Sequence, residues 1–311
     1  MRETPKLFMA TQNANERVNR RQQRDITTEF RKSLRKVKNE IGNLFQEHGK
    51  GGKLPRTEMQ KYRRLQKFEK FLNKEIGTLS RKQNHLTRQG IIEVYMESYY
   101  RFGHMIEAQA LTSLSYGTLS EKKIEAVLFN PLDMIKWSDR NVANNQLMVR
   151  QIREELMKGM VQGKSYGDIA KGITKRMNVG VSKAIRVAQT EMHRSAQQGQ
   201  LESMKHAESK GVLMKKRWVS TLDGSTRDNH QDMDGQEVAV DEDFTTPDGD
   251  TAEAPSHFGI PEEDINCRCT MISIVAGIEP SLRRARDEEG KGEIIEMKSY
   301  KQWKQDIDKG N

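Results

Sequence analysis

Residues 216–276 read KRWVSTLDGSTRDNHQDMDGQEVAVDEDFTTPDGDTAEAPSHFGIPEEDINCRCTMISIVA. Three pieces of this stretch decide the fold. An apolar run that starts at Val212 passes through Trp218 and stops at Thr221, where Asp223-Gly224 supplies turn chemistry. After Asp234-Gly235, residues 236–240 alternate in the period-two manner of a half-buried strand. Asn266-Cys267-Arg268-Cys269-Thr270 opens a second apolar run that ends at Val275. Strands are therefore expected at 212–221, 237–240 and 269–275, with one or two helical turns at 226–233. Between the last two strands, Asp241 to Ile265 reads as a long acidic loop containing Pro247, Pro255 and Pro261. A loop of that length inside a domain usually carries function or covers something.

Ahead of this stretch the period is that of helices. Ile26, Phe30, Leu34, Val37, Ile41 and Leu44 form a narrow apolar stripe on a helix that begins near Ala14 and is otherwise coated with Arg, Lys and Gln. Such a stripe is a seam for another helix, in the same chain or in a partner. Gly49 to Gly52 and Pro55 end it. A second helix from near Arg56 places Met59, Tyr62, Leu65, Phe68, Leu72, Ile76 and Leu79 on one face. Gln83 to Gly90 is polar, and 91–114 shows a third apolar face rich in Tyr, whose aromatics we read as helix core. Ser120 is a candidate cap, Ser165 with Asp168 a capping box, and Asn178-Val179-Gly180 a turn before a helix from Lys183 to Lys210. Residues 277–292 read as a polar linker, and 294–307 as a terminal strand or helix.

With 311 residues, 34% apolar and 31% charged, the chain has room for two domains and composition for only a modest core beside long exposed helices. No run approaches the ~20 apolar residues of a membrane span, and the first residues lack an apolar export signal. Two cysteines in a C-x-C pair make no disulfide framework, so a reducing cytosol is the expected site of synthesis. Charge is unevenly spread. Residues 1–89 carry 23 Lys/Arg and 9 Asp/Glu, 23 − 9 = +14, whereas 221–266 carry 1 and 14, 1 − 14 = −13. A basic arm of that excess suits a polyanion.

Four constellations carry chemistry. Cys267 and Cys269 on an extended segment share a face, and with His230 they offer three ligands of a tetrahedral zinc site, with His257 or Asp234 as a fourth. The plain alternative is two small side chains filling a core. Asp232-Met233-Asp234-Gly235 looks like half a calcium loop, but that register puts His230 at position 1 and Asp241 at position 12, where Asp and Glu are needed. Asp223, Arg227 and His230, with Glu191, form a set in which a histidine base and an arginine anion clamp would serve a phosphate-directed enzyme. No nucleophile elbow or phosphate loop accompanies them, which favours a structural network. Arg17, Arg20, Arg21, Arg24, Arg31, Lys32, Arg35 and Lys36 crowd one helix and suit non-specific contact with DNA phosphates.

Arg186-Val187-Ala188-Gln189-Thr190-Glu191, Trp218, Asp223, Thr226-Arg227, His230, Asp234-Gly235, Phe244 and Asn266–Thr270 occur in one order. Gly290-Lys291-Gly292-Glu293 and Tyr300-x-x-Trp303 follow them. In this the chain resembles the Mu F-like head-morphogenesis family of tailed bacteriophages, the phage minor head proteins, over roughly Gly180 to Ile307. The resemblance implies a non-enzymatic component of the virion, assembled in the host cytoplasm. Its implied place is the capsid interior or portal vertex, and its implied partners are the portal protein, the major capsid or scaffolding protein and double-stranded DNA. It implies no cofactor and no membrane. The residues alone leave a nuclease-like or toxin-like enzyme and a plain DNA-binding module open. The expected fold class is α+β: a mostly α-helical N-terminal region with long helices at 1–179, a small α+β domain with a short antiparallel sheet at 180–276, and a linker and tail at 277–311.

Overall fold

The computed structural model describes residues 4–275, 282–286, 292–296, 299 and 302. The expected fold class is what it shows. Helices α1 (Thr4–His48), α2 (Arg56–Gln60), α3 (Arg64–Ala110), α4 (Glu121–Leu128), α5 (Trp137–Val161) and α6 (Tyr166–Ser209) precede β1 (Met214–Val219). Then come α7 (Asp228–Asp232), β2 (Glu237–Ala239), β3 (Phe244–Thr245), β4 (Thr251–Ala252), α8 (Pro261–Asp264) and β5 (Thr270–Val275). β6 (Leu282–Arg286) and β7 (Gly292–Glu296) close the series as an antiparallel pair. Gly290, Lys291, Tyr300 and Trp303 of the expected ending lie outside the described residues.

The chain divides into two compact units, one of Met1–Arg20, Gln89–Met134 and Gln189–Asn311, the other of Arg21–Arg88 and Ile135–Ala188. The second unit is all helix. Both stripes read from the sequence are inside it: Ile26, Phe30, Val37 and Ile41 are buried, as are Met59, Phe68, Leu72, Ile76 and Leu79. The seams are thus closed within the chain, which removes them as docking stripes for another protein. Asn145 Nδ2 donates to Gln83 Oε1 at 3.1 Å and Asn141 Nδ2 to Asn84 Oδ1 at 2.9 Å. The polar interval at 83–90 therefore does not break α3; its amides are paired, so helix continues at little cost.

A second correction concerns 178–180. The expected turn is uninterrupted helix within α6. Gly180 is not a breaker: a Cβ there would stand 2.6 Å from Met148 Sδ and 3.3 Å from Phe30 Cε1, so the missing side chain is what lets neighbours approach. Ser182 bonds back to Asn178 O at 3.2 Å rather than capping a helix. The other caps are as expected, with Lys123 N bonded to Ser120 Oγ and Asp168 N to Ser165 Oγ.

In the first unit β1 is the centre of a three-stranded antiparallel sheet of order β2-β1-β5. Its register pairs Trp218 with Met271 and Lys216 with Val238 and Ser273. Every residue of β5 is buried, consistent with an apolar run that shows no alternation. Trp218 is fully buried and meets Phe244 edge-on at 5.3 Å. Of the aromatics expected in the helix core, Tyr95, Tyr99 and Phe102 are buried, whereas Tyr100 is half-buried and donates to Gly117 O at 3.2 Å. α6 crosses α3 closely in this unit because a Cβ on Gly199 would come 2.5 Å from Tyr95 O. No helix among the described residues is long and apolar enough to cross a membrane.

Candidate functional site

The site is built where β1 ends and β5 begins. Asn266 adopts φ +60°, a left-handed conformation that Asn tolerates better than most residues. From that turn the chain runs extended, so Cys267 and Cys269 are buried while Arg268 between them is exposed. On the other side Gly235 at φ +88° reverses the chain, and Asp234 Oδ1 accepts Ser220 N at 2.8 Å, tying α7 to the end of β1. The Ser220 hydroxyl takes Trp218 Nε1–H at 3.1 Å and donates to His230 O.

His230, 1% exposed, stands edge-on to Trp218 at 5.3 Å and stacks on Phe258 at 5.7 Å. Its Nδ1 lies 3.7 Å from Cys267 Sγ and 3.5 Å from Cys269 Sγ. Its Nε2 lies 2.8 Å from Glu263 Oε2. Burial pulls the His230 pKa down, but the hydrogen bond to Cys267 and the Cys267 and Glu263 charges outweigh it, and the net shift is upward. Of the two thiols Cys267 gives up its proton first, because Cys269, then His193 and His230, hydrogen-bond its thiolate. Burial pushes Cys269 up, and the Cys267 beside it pushes further.

The acidic loop is the wall behind this cluster. Pro261 starts α8, which carries Glu263 inward. The Asp264 carboxylate accepts Phe258 N at 3.0 Å and Gly259 N at 2.8 Å, holding the ring that stacks on His230. Burial lifts the Asp264 pKa to about 6 against those two bonds. On β1 the buried Lys216 donates to Glu253 O at 2.7 Å and sits 5.1 Å from the Phe244 ring; burial lowers its pKa to about 8.

The three metal candidates, His230, Cys267 and Cys269, are thus brought together. The two residues offered as a fourth ligand are engaged elsewhere: Asp234 on Ser220 N, and His257 Nδ1 on Pro255 O at 3.0 Å. The phosphate-directed set is divided among separate partners. Asp223 makes a two-pronged ion pair with Arg268, Arg227 donates to Ile265 O at 2.5 Å, and Glu191 pairs with the buried Arg194 at 3.1 Å. The eight candidate DNA-contacting residues of α1, Arg17, Arg20, Arg21, Arg24, Arg31, Lys32, Arg35 and Lys36, are all exposed. Arg20, Lys32 and Lys36 also reach Glu16, Glu29 and Glu75.

Sequence reasoning missed Glu263, Asp264 and His193. The first two were lost among the acids of a presumed loop. His193 Nε2 bonds Cys269 O at 2.9 Å, a contact with no local signature. His193, Ser220, Thr221 and Arg268 also border a cavity of about 210 Å³.

Residues 150–272 match the family described as Phage Mu protein F like protein. Over 274 residues the chain is 28% identical to minor head protein GP7 of Bacillus phage SPP1, covering 88% of this chain and 89% of that one. Residues 150–272 are the Mu F-like part of the chain. The Mu F-like match begins in α5, earlier than the Gly180 read from the motifs, and ends in β5 just past the cysteines. A second relative is the NAD(+)--arginine ADP-ribosyltransferase EFV of Enterococcus faecalis, 34% identical over 207 residues. The alignment takes in 67% of this chain and 42% of that protein. No solved structure matches.

Proposed function

We propose that this chain is a minor head protein that acts in head morphogenesis at the portal vertex and touches packaged DNA. The observation that carries the reading is the likeness to a minor head protein along nearly the whole of both chains. The basic arm supports the DNA contact. Arg17, Arg20, Arg21, Arg24, Arg31, Lys32, Arg35 and Lys36 are exposed along α1 while its apolar side is buried. Phosphate contacts need that excess of charge and no base-reading motif. The portal protein and the major capsid or scaffolding protein are the proposed partners, met in the host cytoplasm during assembly. Since the apolar seams are internal, charged helix faces and the acidic lobe are the surfaces offered to them. Co-purification with portal and major capsid proteins of the same phage tests the assignment: retention on the portal protein supports it, and normal heads formed without this polypeptide overturn it.

The role is structural in this reading. Asp223, Arg227 and Glu191 each hold another part of the fold, which supports scaffolding over turnover. The relative named as an ADP-ribosyltransferase keeps more than half its length outside the match. Incubation of the purified chain with labelled NAD and an arginine-rich acceptor, and separately with DNA and RNA, checks this. Transfer or cleavage lost in His230→Ala, with folding retained, would replace the structural role with an enzymatic one.

A further inference from the structure

We propose that His230 Nδ1, Cys267 Sγ and Cys269 Sγ bind one zinc-type divalent ion, with the Glu263 carboxylate holding the imidazole from behind. The three ligand atoms lie within 4.8 Å of one another on side chains that are 1%, 5% and 2% exposed. Zinc takes sulfur at ~2.3 Å and imidazole nitrogen at ~2.0–2.1 Å in a tetrahedron, which places nitrogen and sulfur roughly 3.6 Å apart. The observed separations are 3.7 and 3.5 Å. Both nitrogen–sulfur separations match an edge of such a tetrahedron.

The residue behind the ring points the same way. A ligating histidine commonly gives its other N–H to a carboxylate, which fixes the tautomer and aims the free lone pair at the metal. Glu263 Oε2 faces Nε2 at 2.8 Å, leaving Nδ1 toward the sulfurs. Cysteines that only filled a core would require neither the nitrogen facing both sulfurs nor the carboxylate on its far side. Thiolate and imidazole donors select zinc over magnesium or calcium. The unusual C-x-C spacing works here because the extended chain turns only Arg268 outward. Among the described residues no fourth side chain stands with the trio, so the fourth position would fall to water, with His193 nearby on Cys269 O at 2.9 Å. Binding releases the thiol protons to solvent and joins α7, α8 and the start of β5 through one ion.

The test uses the full chain purified without chelator. Elemental analysis should find about one zinc per chain, the number a single site of this kind holds. Cobalt in place of zinc should give intense visible bands of a tetrahedral site and a thiolate charge-transfer band. Cys267→Ser and Cys269→Ser should each abolish the charge-transfer intensity of that ligand, and His193→Ala should shift the bands without removing them. Chelator should lower the Tm of the wild-type chain and leave that of the doubly substituted chain unchanged. A folded wild-type chain that carries no zinc, takes up no cobalt and titrates as two free thiols would overturn the proposal, whatever the variants do. That outcome leaves the head-assembly role untouched, because metal content is read without reference to it.

Discussion

Glu263 Oε2 and His230 Nε2 face each other at 2.8 Å as a buried ion pair, and neither atom has a hydrogen-bond partner. One residue comes from α8 in the acidic loop and the other from α7, so this contact fastens the loop over the sheet. Replacing Glu263 by Ala leaves the buried imidazole without its ion-pair partner, which costs about 1–3 kcal/mol. Thermal denaturation should show Glu263→Ala less stable than Glu262→Ala, because Glu262 is exposed on the same helix. Equal Tm values for the two variants would mean the contact does not hold the loop.

Two glycines separate close packing from helix propensity. Gly199→Ala should destabilise by about 1–3 kcal/mol, because the new methyl meets Tyr95 O and the α3 backbone cannot retreat freely. Gly77 sits inside α3 with only the end of Arg81 within 4.0 Å. Gly77→Ala should stabilise by about 0.5–1 kcal/mol through helix propensity alone. Denaturant midpoints of opposite sign for the pair are the expected result.

Lys216 predicts a pH dependence. Its folded pKa of about 8 lies below the ordinary 10.5. Between those values the unfolded chain binds a proton that the folded chain has released, so this group makes stability rise with pH across that window. Below pH 8 the folded state carries a buried ammonium ion and that gain is absent. Lys216→Met should therefore flatten the difference in Tm between pH 8 and pH 10. An unchanged difference would show that Lys216 is solvated in solution.

The arm predicts a salt dependence. Arg17, Arg24, Arg31 and Arg35 are exposed on α1, so changing all four to Gln should leave Tm nearly unchanged. Deleting α1 would not be a clean test, because Phe8, Ile26, Phe30 and Val37 are core. Each lost phosphate contact should reduce the slope of log affinity against log salt by about 0.9. Gel-shift titrations at several salt concentrations measure it, and a slope equal to that of the wild-type chain would remove α1 from the DNA interface.

The sequence by itself determined most of the helical segments, though not the start of α1 at Thr4 or the unbroken runs of α3 and α6, together with the three paired strands, the caps at Ser120 and Ser165 and the trio His230, Cys267 and Cys269. These rest on periodicity, turn chemistry and ligand type, all of which are local or additive along the chain. Tertiary structure alone decided the rest. Asn178-Val179-Gly180 has the composition of a turn, yet α6 runs through it because Met148 and Phe30 fill the space a side chain would need. Gln83 looks like a surface residue until Asn145 pairs with it in the interior. Glu263 is one acid among fourteen in its segment until α8 turns it toward His230. In each case the deciding partner lies dozens of residues away, and a sequence pattern records what a residue is, not which distant group will neutralise, crowd or ligate it.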